Sequence, residues 1–166
     1  MVHSTSAAGL PFITHMSEKK FKLLFLDMGL VKRACHLDLE LLFQEDLMLI
    51  NKGALAEQFV GQELLAYQGG DLYFWVREEK SSSAEVDYLT AVNGRVVPIE
   101  VKSGALGTLR SLGIVMKENN LPIGVRVANL PLSYANGILT IPFYLLSEFP
   151  RLVELVNFSE ENSRAH

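Results

Sequence analysis

The sequence is poor in the features that cross-link a protein or anchor it in a membrane. Its 166 residues include one cysteine, Cys35, so no disulfide can form within the chain, and a reducing compartment fits best. No apolar run approaches the ~20 residues that a membrane-spanning helix requires. These absences predict a cytoplasmic protein with no membrane partner.

Motifs of nucleotide binding and of histidine chemistry are also missing. No G-x-x-x-x-G-K-[ST] occurs, so this chain alone is not a P-loop ATPase, and no G-x-G-x-x-G follows a strand. The four histidines are scattered and lie mostly near the ends of the sequence, which argues against a zinc site or a histidine-based triad. The chemistry that remains rests on carboxylates and lysines.

Positive charge is scarce as well. The chain has 15 lysines and arginines against 19 acids, and its formal net charge is −4. Non-specific binding of nucleic acid depends on basic side chains that displace counter-ions. We interpret the short basic runs at 19–22 and 32–33 as solvated edges. DNA or RNA is therefore a candidate partner that the composition does not support.

What the sequence does contain is a succession of strand and helix patterns. Strands are predicted over 21–27, 72–76, 84–91, 95–102, 122–128 and 138–141. Helical spacing covers 30–36, 37–46, 52–68, 109–119 and 143–156, with Asn51 and Thr108 as N-caps and Pro150 as a kink. The central order helix, strand, strand, strand, helix, strand predicts an α/β fold with a mixed sheet flanked by helices.

The length of the chain suits one domain with a substantial core. Residues 1–20 show no sustained periodicity, and we expect them to be a loop or the end of a preceding segment. Residues 21–158 form the predicted domain. Residues 159–166 are polar and are predicted to be a disordered tail.

The candidate site lies on a hairpin whose turn contains Asn93-Gly94, a strong turn signal. The hairpin brings Asp87 on its first strand towards Glu100 and Lys102 on its second. Because side chains alternate along a strand, Glu100 and Lys102 share one face, and their apolar neighbours share the other. Two carboxylates and a lysine on adjacent strands can hold a divalent metal and a water.

Glu57 is a further candidate on the helix over 52–68. It lies on the same face as Val60 and Leu64, where a carboxylate is costly unless it is paired. One interpretation is that Glu57 points at the hairpin site. The other is that Glu57 is a rim residue and that the hairpin acids form a solvated face, whose Glu–Lys pair contributes little.

The pattern Glu57, Asp87, Glu100-x-Lys102, in the order helix, strand, strand, resembles the PD-(D/E)XK nuclease superfamily, with Val86 before Asp87 where the motif has proline. A wider set of segments resembles domain-of-unknown-function family 4143 (DUF4143). These segments are Gly53-x-x-x-Glu57-x-Phe-Val60, Leu72–Trp75, Glu85–Tyr88, Pro98–Ser103, Lys22–Leu30 and Ile141–Tyr144. The resemblance covers about residues 20–155 and implies a restriction-endonuclease-like fold.

The resemblance also implies roles for single residues. Asp87 and Glu100 would be metal ligands together with the carbonyl of Val101, for Mg²⁺ or Mn²⁺. Lys102 would orient the attacking water or stabilise charge that develops on phosphate, and Glu57 would complete the outer shell of the site. In that family the domain is the C-terminal part of an AAA-type ATPase, so an upstream ATPase domain is an expected partner.

Three interpretations of function stay open at this point. The chain is a metal-dependent nuclease module that cuts DNA or RNA, a non-catalytic domain with the same fold that binds nucleic acid or a partner, or a folding or dimerisation unit with solvated acids. An oligomer is compatible with each.

Overall fold

The computed structural model describes residues 1–34, 45–68, 72–77, 83–104 and 108–164. Its helices are α1 (Met28–Ala34), α2 (Glu45–Gln68), α3 (Arg110–Glu118) and α4 (Phe149–Arg164), with 3-10 helices at Phe12–His15 and Phe143–Glu148. Its strands are β1 (Val2–Ser4), β2 (Ser17–Lys22), β3 (Tyr73–Val76), β4 (Glu85–Val92), β5 (Arg95–Lys102), β6 (Gly124–Ala128), β7 (Ser133–Ala135) and β8 (Ile138–Ile141). In this part of the chain, no helix is both long and apolar enough to cross a membrane.

The eight described strands form one mixed sheet in the order β2-β1-β3-β4-β5-β6-β8-β7. Its centre combines the antiparallel run β3, β4, β5 with the parallel run β5, β6, β8. Helices cover both faces, and the central order α2-β3-β4-β5-α3-β6 is the predicted one. The α/β class with a mixed, helix-flanked sheet is therefore confirmed.

Two apolar cores, one on each face of the sheet, hold the helices against the central strands. On the face that we call the α2 face, Val60 and Leu64 of α2 and Val153 of α4 pack against side chains of the central strands. On the opposite face, the α3 face, Leu112 and Val115 of α3 do the same. The central strands are consequently apolar on both sides, as expected for strands that are buried between layers of helices.

The N-terminal residues belong to the sheet, although the sequence predicts no regular element before residue 21. Strand β1 lies between β2 and β3, and its Val2 and Ser4 are buried. A strand of three residues carries no periodic signal, because its neighbours rather than its own pattern hold it in place. Whether residues 1–20 also end a preceding segment stays a prediction.

The predicted strand over 21–27 is wrong in position, since β2 ends at Lys22. Beyond Lys22, the side chain of Gln58 rather than a neighbouring strand supplies hydrogen-bond partners for the backbone. It accepts a hydrogen bond from the Phe25 amide (3.2 Å) and donates one to the Phe25 carbonyl (3.1 Å). Gln62 donates a second bond to that carbonyl at 2.9 Å. These bonds attach the segment to α2.

The predicted N-caps are not the observed ones. Helix α2 begins at Glu45, so Asn51 lies inside it. Leu109 rather than Thr108 is the N-cap of α3, and it makes no side-chain cap bond. Most of the predicted helical segment 37–46 lies outside the described residues.

The C-terminal region departs from the prediction in two places. Between the predicted strands over 122–128 and 138–141 the structure has an additional strand, β7, and Asn136 and Gly137, with positive φ values of 52° and 74°, form the turn between β7 and β8. Instead of one kinked helix over 143–156, the 3-10 helix is followed by α4, and Pro150 sits in its first turn, where a missing N–H is harmless. Helix α4 continues to Arg164, within the segment predicted to be a tail, and residues 165–166 lie outside the description.

Candidate acid site at the ends of β4 and β5

The predicted hairpin is present. Asn93 and Gly94 have φ values of 50° and 75°, as a two-residue turn of the I′ type requires. Strands β4 and β5 pair from Val92 opposite Arg95 to Tyr88 opposite Ile99. The next residues along each strand, Asp87 and Glu100, therefore lie just past the last of these pairs.

A β-bulge in β4 sets the position of Asp87. Tyr73 of β3 pairs with Leu89, but Trp75 pairs with Val86, so β4 has one extra residue at this place. Val86 and Leu89 both pack in the α3-face core, which assigns the irregularity to the two residues between them. A bulge interrupts pairing and redirects side chains, and bulges of this kind are common beside functional sites.

The carboxylate of Asp87 links β4 to β5 beyond their last backbone pair. Its Oδ2 accepts a hydrogen bond of 2.7 Å from the amide of Val101 on β5. The pKa of Asp87 is raised from 3.8 to about 7, mainly by burial and further by the negative charges of Glu57 and Glu100. Asp87 is thus partly protonated at neutral pH.

Glu100 and Lys102 lie on the α3 face, as the alternation of β5 predicts, since Ile99 and Val101 pack in the α2-face core. Lys102 Nζ donates to Glu100 Oε1 at 2.6 Å. The Glu100 side chain is only 8% exposed, and its Oε2 has no hydrogen-bond partner among the described residues. Burial raises the pKa of Glu100, while Lys102 acts in the opposite direction.

Helix α2 contributes Glu57, which shares Lys22 with Asp87. The hydroxyl of the buried Tyr88 donates to the Glu57 carbonyl oxygen at 2.8 Å, which fixes this turn of α2 on β4. The Glu57 carboxylate is 31% exposed and bonds Lys22 at 2.8 Å. Glu57 is therefore paired rather than a free rim residue.

Lys22 is a site residue that the sequence analysis missed. Its ammonium nitrogen lies 2.8 Å from Glu57 Oε1, 2.5 Å from Glu85 Oε1 and 3.9 Å from Asp87 Oδ1. It also stands 4.9 Å from the centre of the Phe74 ring. The interpretation of 19–22 as a solvated edge is wrong at this residue, whose side chain is 20% exposed. Lys19 and Lys20 are exposed.

The charge of Lys22 is held by its neighbours. Burial lowers the pKa of Lys22, but the charge of Glu57 and the hydrogen bonds to Glu57 and Glu85 outweigh that effect and raise the pKa. We call Glu57, Glu85, Asp87 and Glu100 the acid cluster. Its four carboxylates face the two ammonium groups of Lys22 and Lys102. The cluster thus has more negative than positive charge, which adds to the effect of burial in raising the pKa of Asp87.

Arg126 is a second residue that the sequence analysis did not select. On the parallel strand β6 it lies directly beside Glu100. Its Nε and Nη2 donate to Thr140 Oγ1 on β8 at 3.2 and 2.8 Å. Only the strand register, which no local pattern reveals, makes Arg126 the neighbour of Glu100 in the sheet.

The structure brings the predicted residues together in two groups. Glu57 and Asp87 share Lys22, whereas Glu100 pairs with Lys102. Within the described residues, no three histidine, cysteine or acidic side chains are arranged so that they could hold a metal ion. A cleft of about 440 Å³ is lined by Lys22, Glu57 and Glu85 and by apolar residues such as Leu23 and Phe25.

Fold and site together define a mixed α/β protein with an acid cluster where β4 begins and β5 ends. Residues 52–138, just over half of the chain, match the family described as domain of unknown function (DUF4143). The chain belongs to this family. No curated protein and no solved structure matches it.

Proposed function

We propose that this chain is a metal-dependent nuclease domain of the PD-(D/E)XK type with a restriction-endonuclease-like fold. The observation that carries the proposal is the placement of Asp87 and Glu100-x-Lys102 at adjacent strand ends, where an oxygen of the buried Glu100 lacks a partner among the described residues. The order α2-β3-β4-β5-α3-β6 supports it. We further propose that the domain serves as the C-terminal part of an AAA-type ATPase.

The donor chemistry fits Mg²⁺ or Mn²⁺. Hard divalent cations prefer carboxylate and carbonyl oxygens. The four carboxylates of the acid cluster outnumber the two ammonium groups that they face. Glu100 Oε2 is buried without a partner in the described part of the chain. Asp87, Glu100 and the carbonyl of Val101 would hold the metal. When bound, it would polarise the phosphate and lower the pKa of a water molecule.

The remaining residues have roles that follow from their charges. Lys102 can orient the attacking water or stabilise negative charge that develops on a phosphate. Arg126, beside Glu100, adds a second cation on the same face, and guanidinium groups suit phosphate oxygens. Glu57 positions Lys22 and completes the outer part of the site.

A second candidate function is non-catalytic binding of nucleic acid or a protein partner by a domain with this fold. The observation that favours it is the separation of the acids into two lysine-bound groups. In that case Lys22 and Lys102 would be permanent neutralising partners, and the acids would support the fold only.

Asp87→Asn distinguishes the two functions, because it removes a charged ligand and keeps an acceptor for the Val101 amide. We expect the protein to cleave labelled single- or double-stranded DNA or RNA in Mg²⁺, and Asp87→Asn and Lys102→Met to lower the rate by roughly a hundredfold or more. Gel analysis of the products measures the rate. Glu18→Gln, an exposed acid on β2, is the matched control and should be unchanged.

The outcomes separate the alternatives. Cleavage that persists at full rate in Asp87→Asn would contradict the proposed site. Nucleic-acid binding without metal-dependent cleavage, unaffected by Asp87→Asn, would favour the non-catalytic function.

A further inference from the structure

Lys22 reaches the acid cluster from the edge of the sheet. It is the last residue of β2, which pairs with β1 along one side, and four of the six residues of β2 are exposed. Although this strand is largely exposed, the ammonium group of Lys22 lies among the carboxylates of Glu57, Glu85 and Asp87. The ammonium group also lies over the rings of Phe74 and Tyr88, whose centres are 4.9 and 6.0 Å from Nζ.

The ammonium group of Lys22 lies beside Asp87, one of the ligands of the proposed metal site. It is bounded by oxygens of three carboxylates, and hard divalent cations seek the same donors. A cation bound at Asp87 would lie close to Lys22, whose Nζ is 3.9 Å from Asp87 Oδ1. At a partly buried site, like charges at such separations repel strongly enough to change an affinity tenfold or more.

We propose that Lys22 is the built-in counter-ion of the acid cluster and competes with a divalent cation for Asp87. The proposal rests on the metal site of the proposed function. In the state described here, the ammonium holds the carboxylates together. Divalent metal binds after the Lys22 side chain leaves them, and β2 can release it without disturbing either apolar core, because most of its side chains are exposed.

Lys22→Met tests the proposal, since methionine keeps an unbranched apolar stem of similar length and removes the charge. Mn²⁺ titration by isothermal calorimetry should give a Kd roughly tenfold or more lower for Lys22→Met than for the unaltered protein. Lys19→Met, which removes an exposed charge from the same strand, should leave the Kd unchanged. Adding Asp87→Asn to Lys22→Met should abolish the gain.

Thermal melting provides a second readout that does not depend on catalysis. Without metal, Lys22→Met should melt at a lower temperature, because the carboxylates lose their cation. Mn²⁺ should raise its melting temperature by more than that of the unaltered protein. If Lys22→Met fails to fold without metal, Mn²⁺ should restore folding, and Lys22→Gln provides a more polar replacement for the same titration.

The proposal is overturned if Mn²⁺ binds Lys22→Met no more tightly than the unaltered protein, or if Mn²⁺ does not restore a variant that is unfolded without it. Metal-dependent cleavage together with an unchanged Kd would leave the nuclease function intact and refute the counter-ion. Tighter Mn²⁺ binding without cleavage in any variant would support the counter-ion and refute the nuclease function.

Discussion

Asp87→Asn is expected to make the protein more stable at pH 8. The pKa of Asp87 is about 7 in the folded protein, against 3.8 for the free side chain. Between these values the unfolded chain releases a proton that the folded protein retains, so stability falls as pH rises from about 4 to 7 and stays low above it. The full shift corresponds to about 4 kcal/mol, an upper figure that asparagine would recover.

Urea unfolding at pH 4, 6 and 8 measures this effect. The variant and the unaltered protein should have similar free energies of unfolding near pH 4, and a gap of about 2–4 kcal/mol should open by pH 8. Glu18→Gln provides the control for loss of one exposed carboxylate. If Asp87→Asn were less stable at pH 8 than the unaltered protein, the raised pKa of Asp87 in the folded protein would be refuted.

Gly61→Ala is expected to have the largest effect among small changes in the core. A Cβ at residue 61 would lie 2.5 Å from Tyr88 Oη and 2.8 Å from a methyl carbon of Leu24. Tyr88 is fully buried and its hydroxyl is bonded to the Glu57 carbonyl, so it cannot retreat without breaking that bond. We expect a loss of about 3 kcal/mol in the free energy of unfolding, measured in urea.

Two matched variants separate steric overlap from helix propensity. Gly53 lies in the same helix, and no described atom lies within 4 Å of the place that an added methyl group would take. Gly53→Ala should therefore stabilise the protein by about 1 kcal/mol. Adding Tyr88→Phe to Gly61→Ala removes the oxygen that the methyl group meets and should recover part of the loss. A neutral Gly61→Ala would show that α2 moves away from β4 easily.

The parts of the fold that sequence reasoning predicts well are those with local causes. Asn93-Gly94 supplies positive φ values in a row, so the hairpin and the facing of Asp87 and Glu100 follow from a few adjacent residues. The alternation of β5 follows from the same register, because Ile99 and Val101 must enter a core. The order of helices and strands in the centre of the chain also follows from local sequence patterns.

The remainder depends on contacts between distant segments. Lys22 meets Glu57 across 35 positions of sequence, and nothing near Lys22 marks it as different from Lys19. The bulge at Asp87 becomes visible only in the pairing of β4 with β3. Gln58 replaces a strand neighbour for Phe25 through its side chain, which no periodic pattern encodes.

The position of β1 has a consequence for shortened versions of this chain. The family match begins at residue 52, yet β3 is covered on one side by β1, through pairs such as Ser4 with Phe74. A chain trimmed to the match would leave the Tyr-Phe-Trp-Val run of β3 as an open, apolar sheet edge. Such edges recruit other strands and favour aggregation. We therefore expect a shortened chain to avoid aggregation only if it keeps the N-terminal strands.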